Sequence, residues 1–182
     1  VIVERDVVRV VTPGTTFDER IVDNKSNRYI VAFLEREVEG ESLYGISACD
    51  ATTGEFKATV CKTKQEFEEE LYRIQPVEVV VGRKTEHHFE MPVFVHEFIG
   101  DSKSFLNKHF NVASLEAFGV EGKTLCVEAS ALLLSYLKTT QKSEMPHIES
   151  LSFYTSGEVV SFDEYTIRNL ELFQTMREGA RE

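Results

Sequence analysis

The chain has 182 residues, 42% of them hydrophobic and 10% aromatic, enough to bury the core of one full domain with a fragment to spare. Lys and Arg total 20 against 31 acids, a net charge of −11, and no basic cluster interrupts the acidity. A positive stripe that neutralises phosphates is therefore absent from the sequence, which argues against tight nucleic-acid binding by this chain alone.

No apolar run approaches 18 residues and no signal-peptide pattern opens the chain. Three scattered cysteines (Cys49, Cys61 and Cys126) do not make a disulfide framework, so buried thiols in a reducing, cytoplasmic setting are expected. The chain starts at Val1 rather than Met and reads as part of a longer polypeptide.

Val7 to Thr15 is a β-branched run, suited to a buried or edge strand, stopped by Pro13-Gly14. Pro13 removes a donor there and Gly14 can take a positive φ. A polar loop covers Asp23 to Asn27. Strands follow at Tyr29–Val38, Leu43–Asp50 and Gly54–Cys61. In the first, Ile30, Ala32 and Leu34 alternate with Val31 and Phe33. The Ala51–Gly54 connection makes an antiparallel hairpin that sets Cys49 opposite Phe56, not Cys61.

Thr63 and Glu66 have capping-box spacing at the start of a helix. Its apolar face is Phe67, Leu71 and Ile74, with acids expected on the opposite side, and Pro76 closes it. Val77–Val81 is a short apolar strand of the doubly buried kind, expected to run parallel to its neighbour. From Gly82 to Gly122 the signals weaken: Val93–Phe98 fits a strand or a loop, and Ser104–Phe110 and Ser114–Phe118 fit short helices.

Lys123–Gln141 is the clearest helix, with Leu125, Ala129, Leu132, Leu133, Tyr136 and Leu137 along one side, and Met145-Pro146-His147 breaks it. Leu151–Tyr154 and Glu158–Phe162 suggest a second hairpin. Asp163 caps a final helix to about Arg177, with an apolar stripe of Ile167, Leu170 and Phe173. The order of elements gives a mixed α/β sheet.

The motifs resemble, in order, the second domain of the MutS family of DNA mismatch-repair proteins. Val11-Thr12-Pro13-Gly14-Thr15 resembles the family's exit from its first domain. Asp50-Ala51-Thr52-Thr53-Gly54-Glu55-Phe56 resembles its Asp-x-Ser-Thr-Gly-Glu-Phe hairpin. Gln75-Pro76-Val77-Glu78-Val79, Ala117-Phe118-Gly119-Val120, Leu134 to Gln141 and Met145-Pro146-His147-Ile148 follow. Thr166 to Leu172 resembles the start of the family's helical core. Thr52 stands where Ser is commoner, and Phe162-Asp163-Glu164-Tyr165 departs from the usual Leu-Asp-x-x-Thr.

The resemblance implies an α/β, RNase H-like connector flanked by helices at residues 17–150. A linker at 1–16 would precede it, and the first helix of an all-α core or lever domain would lie at 151–182. It also implies a non-catalytic role that relays conformational change and docks MutL. Other MutS domains, a second subunit and mismatched DNA are contacts of the whole protein, and ATP and Mg²⁺ belong to an ATPase domain outside this chain. In a bacterium, nucleoid association would follow.

Ser104, Phe105, Lys108 and His109 are the candidate partner-binding residues, on a short helix in the variable stretch 101–110. The competing reading makes Phe105 and Phe110 satellite core.

Several groups of residues resemble known reactive sites. A two-metal nuclease needs carboxylates converging from strands and helix. Tyr29–Leu34 has no acid at its centre, Val77–Val81 offers only Glu78, and Asp50 and Glu55 flank a turn where a solvated role is expected. A nuclease and an independent DNA-binding module remain the alternatives to a connector. No phosphate-binding glycine loop is present. Phe67-Glu68-Glu69 matches the family's mismatch-probing Phe-x-Glu by letters only, and its helical setting makes Phe67 core. His87, His88 and His96 with Glu86, Glu90 and Glu97 read as a surface loop rather than a zinc set.

Overall fold

The computed structural model describes residues 10–15, 28–82, 89 and 91–156. The loop at 23–27, His87 and His88, Glu86 and Glu90, the strand expected at 158–162 and the helix expected at 163–177 lie outside the described residues.

The chain builds β1 (Tyr29–Val38), β2 (Glu41–Asp50), β3 (Phe56–Cys61), α1 (Lys64–Ile74), β4 (Glu78–Val81) and β5 (Val93–Val95). These are followed by α2 (Ser102–Phe110), a 3₁₀ turn (Glu116–Phe118), α3 (Thr124–Gln141) and β6 (Ser152–Phe153). One sheet runs β5-β4-β1-β2-β3-β6. β1, β2 and β3 are antiparallel neighbours, with Cys49 opposite Phe56 as the loop length requires. β4 lies parallel to β1, and β5 parallel to β4.

The alternation in β1 sorts its side chains into two cores. Ile30 and Ala32 join the cluster beneath α3 and α2, while Val31 and Phe33 join the one beneath α1. Both faces of the central strands are thus covered, which explains the near-continuous apolar run of β4. Phe67 is core: its ring lies 4.7 Å from Phe33 and stacks at 4.6 Å on Tyr44.

α1 begins as expected. Thr63 Oγ1 accepts the Glu66 amide at 3.1 Å, and Glu66 reaches back to the Lys62 amide at 2.7 Å. Gln75, at φ 48°, ends the helix one residue before Pro76. Asp101 caps α2 through the Ser104 amide at 2.8 Å, so this helix starts two residues earlier than its apolar pattern suggested.

Three expectations are corrected. α3 is buried almost all round rather than along one stripe, because the sheet, α2 and the 10–15 segment enclose it; Cys126, Val127, Ser130, Ala131 and Leu134 are buried too. Ser152–Phe153, the arm of the expected second hairpin that is described, pairs in parallel with β3. Val10 and Val11 lie outside the sheet and are exposed, the Val10 amide donating to Thr140 O at 2.8 Å. The acids of α1 are not all solvent-facing, since Glu70 is buried.

Gly45 marks the closest approach of helix to sheet. A Cβ there would sit 2.5 Å from the Leu125 carbonyl oxygen at the start of α3. Backbone cannot yield as a flexible side chain can. Gly45→Ala is therefore expected to lower unfolding stability by about 1–3 kcal/mol, seen as a reduced urea midpoint with an unchanged slope.

Candidate functional site

α2 presents two kinds of residue. Ser104 and Lys108, one turn apart, are exposed. Phe105 and His109, also one turn apart, are half-buried on the flank facing α3. Phe105 packs against Phe98 at 4.8 Å with Lys138 Nζ 5.5 Å from its ring, and His109 Nε2 lies 2.9 Å from the Ile148 carbonyl. Ser104 and Lys108 thus face solvent, whereas Phe105 and His109 fasten the helix to its own domain. Phe105 and Phe110 do pack on the main core.

Two carboxylates, Glu78 and Glu70, organise the chain on either side of this body. Glu78 opens β4 and is fully buried. Its oxygens accept the Thr12 hydroxyl at 3.0 Å, the Gly14 amide at 2.9 Å and the Tyr136 hydroxyl at 3.1 Å. The segment it holds is a tight turn, with the Thr15 amide on Thr12 O at 3.0 Å and Arg28 donating to Pro13 O at 2.6 Å. Gly14 is required here for space rather than for a positive φ. A Cβ would press into Ile30, lying 2.7 Å from its Cδ1 and closer still to its Cγ1. Burial, with the Glu78 charge beside it, raises the Tyr136 hydroxyl above its ordinary range.

Glu70 is the second, on the inner face of α1. Its carboxylate pairs with Arg73 and accepts the hydroxyls of Tyr154 and Ser156, the latter at 3.0 Å. The Arg73 guanidinium also lies 5.4 Å from the Tyr154 ring centroid. Tyr154 is raised too, by burial first and the Glu70 charge second. Sequence held a signal for both acids. Glu78 is the lone charge in a doubly covered strand, and Glu70 is spaced three residues from Phe67 and four from Ile74 on the apolar face; such acids need donors when buried.

Asp50 and Glu55 are occupied as well. Asp50 is buried, not solvated, and takes the amides of Thr52 at 2.8 Å, Thr53 at 3.3 Å and Arg28 at 3.3 Å. Glu55 accepts the Tyr29 hydroxyl at 2.6 Å and pairs with Lys57 at 3.3 Å. His96 bonds Ser135 Oγ at 3.1 Å and sits edge-on to Tyr136. Among the described residues no three His, Cys, Asp or Glu side chains come together as a metal set. All three cysteines are free and buried. Burial pushes the Cys61 and Cys126 thiols up to about 12, away from reactivity. No helix among the described residues is long and apolar enough to cross a membrane.

Three antiparallel strands running into two parallel ones, with helices on both faces, define an RNase H-like α/β domain. Residues 28–149 match the family described as MutS domain II. The chain is 33% identical over 192 residues to the DNA mismatch repair protein MutS of Methanococcoides burtonii, covering 97% of this chain and 21% of that protein. It is 34% identical to that of Methanosarcina barkeri, covering 100% and 23%, and 35% identical to that of Salinibacter ruber, covering 100% and 21%. The chain therefore belongs to the MutS family, and spans about a fifth of the length of these relatives.

His96 and His109 give the site a pH dependence. Burial holds both imidazoles below their ordinary value of 6.5; for His109 the Ile148 carbonyl opposes that shift. As pH falls through that value the unfolded rings take up protons before the folded ones do, so stability drops. The double variant His96→Gln/His109→Gln should lose less stability than the parent between pH 7.5 and pH 5.5. Urea titrations at the two pH values measure the difference.

Proposed function

We propose that the chain is the connector of a MutS-type mismatch-repair protein. It relays conformational change between the DNA-binding and ATPase parts and docks MutL on α2. The observation that carries this reading is the use made of the buried acids within a MutS domain II fold. Glu78 and Glu70 hold the flanking segments 12–14 and 154–156 onto the body, and Asp50 closes a turn. Carboxylates committed to protein donors are poor metal ligands, which favours a joint over a nuclease.

In this reading the chain is not itself an enzyme. ATP and Mg²⁺ are handled by an ATPase domain of the whole protein, and mismatched DNA is gripped by other domains and a second subunit. The net charge of −11 supports that division. Docking on α2 draws on Ser104 and Lys108, with Phe105 and His109 shaping the flank.

A titration of the chain with the cognate MutL N-terminal region tests the docking arm. Binding at tens of micromolar or tighter is expected. Ser104→Arg and Lys108→Glu should weaken it about tenfold or more while moving folding stability by less than about 1 kcal/mol, as exposed positions do. No chemical-shift change at tens of micromolar would overturn a sufficient docking site here. Metal-dependent cleavage of hybrid or duplex DNA would overturn the non-catalytic reading.

A further inference from the structure

We propose that Glu78 and Glu70 are positioning residues that lock the segments 12–14 and 154–156 to opposite faces of the sheet, so that the domain and both of these segments move as one rigid body. The inference rests on the connector reading and deepens it: these two clamps are not where the joint bends.

Each clamp has the same construction. A carboxylate on the body takes one partner from a helix of the body and two donors from the flanking segment. At Glu78 the helix partner is Tyr136 of α3 and the segment donors are the Thr12 hydroxyl and the Gly14 amide. At Glu70 the helix partner is Arg73 of α1, and the segment donors are the hydroxyls of Tyr154 and Ser156. Among the described residues no basic side chain pairs with Glu78, so lifting the 12–14 turn would strip a buried charge of two of its three donors. Gly14 adds a steric fit, since its backbone lies flush on Ile30. At the other clamp β6 is only two residues long. So short a strand holds its segment weakly, and the Glu70 hydroxyl bonds supply what the ladder lacks.

The two clamps also differ in side. Glu78 shares the register of Ile30, whose side chain lies in the core under α3. Glu70 stands on α1 with Phe67 and Leu71, in the core on the opposite face. A displacement at Thr12 therefore passes into β4 and α3, crosses a sheet packed on both faces, and emerges through α1 at Tyr154. Packed layers of this kind transmit movement rather than absorb it.

Hydrogen exchange of the 182-residue chain, read by peptide mass spectrometry, tests this. Glu78→Gln leaves one acceptor where there were two. It should speed exchange in the peptide covering 10–15 about tenfold or more while β6 is unchanged; Glu70→Gln should do the reverse at 151–156. Thr12→Val and Ser156→Ala remove only segment-side hydroxyls and should give the same pattern, more weakly, if either Gln variant fails to fold. Exchange at 10–15 and 151–156 that is already as fast as in an unstructured peptide, or that no variant changes, overturns the clamps. MutL titration separates the two readings. Lost docking with intact clamps defeats the docking reading alone, and clamp-free exchange with intact docking defeats this inference alone.

Discussion

Burying Glu78 takes a carboxylate out of water at the start of β4, and the groups that compensate it come from three separated parts of the chain. The hydroxyl of Thr12, the amide of Gly14 and the hydroxyl of Tyr136 must all be in place for the charge to be tolerated. β4 can then lie beside β1 with both faces covered. Tyr136 can point its polar end inward from a helix that is buried almost all round, and the Pro13-Gly14 turn is fixed on Ile30. The arrangement stabilises little relative to an apolar equivalent, as is usual for buried charges. What it contributes is geometry: one register, one turn and one helix face that fit together.

From that register the rest follows. β1 divides its side chains between two cores, so the sheet is a wall with helices on both sides. α3 fills one side and leaves α2 on its outer flank, where Phe105 and His109 hold the helix down and Ser104 and Lys108 face outward. α1 fills the other side and offers Glu70 to the segment that follows β6. Among the described residues Glu78, Glu70, Asp50 and Glu55 are each taken up by donors of the fold. The cysteines are buried and raised in pKa, and His96 is turned toward Ser135.

Much of this was legible in the sequence because it depends on local pattern. The alternation of Ile30 to Leu34, the four-residue turn that sets Cys49 against Phe56, and Thr63 with Glu66 each encode a local rule that tertiary structure did not override. Phe67 was readable as core from its spacing with Leu71 and Ile74. What escaped depends on distance. Nothing local says that Ser152 and Phe153 will return to β3, or that Thr12 and Tyr136 will meet on Glu78 across 66 and 58 positions. Asp50 resembled a solvated turn residue because its donors are backbone amides, which composition does not reveal. α3 looked one-sided because its second face is covered by α2 and the 10–15 segment, elements whose own signals are weak. On α2 the packing of Phe105 was readable as satellite core, whereas the inward turn of His109 toward the Ile148 carbonyl depends on a contact 39 positions away.

One buried carboxylate makes the 12–15 turn and α3 energetically a single unit. A double-mutant cycle between Thr12→Val and Tyr136→Phe, read by urea unfolding, addresses it most directly. The side chains belong to segments more than a hundred residues apart and share Glu78 as acceptor. A coupling of about 0.5–1 kcal/mol or more between the two substitutions is expected. Strict additivity, within about 0.3 kcal/mol, would contradict it.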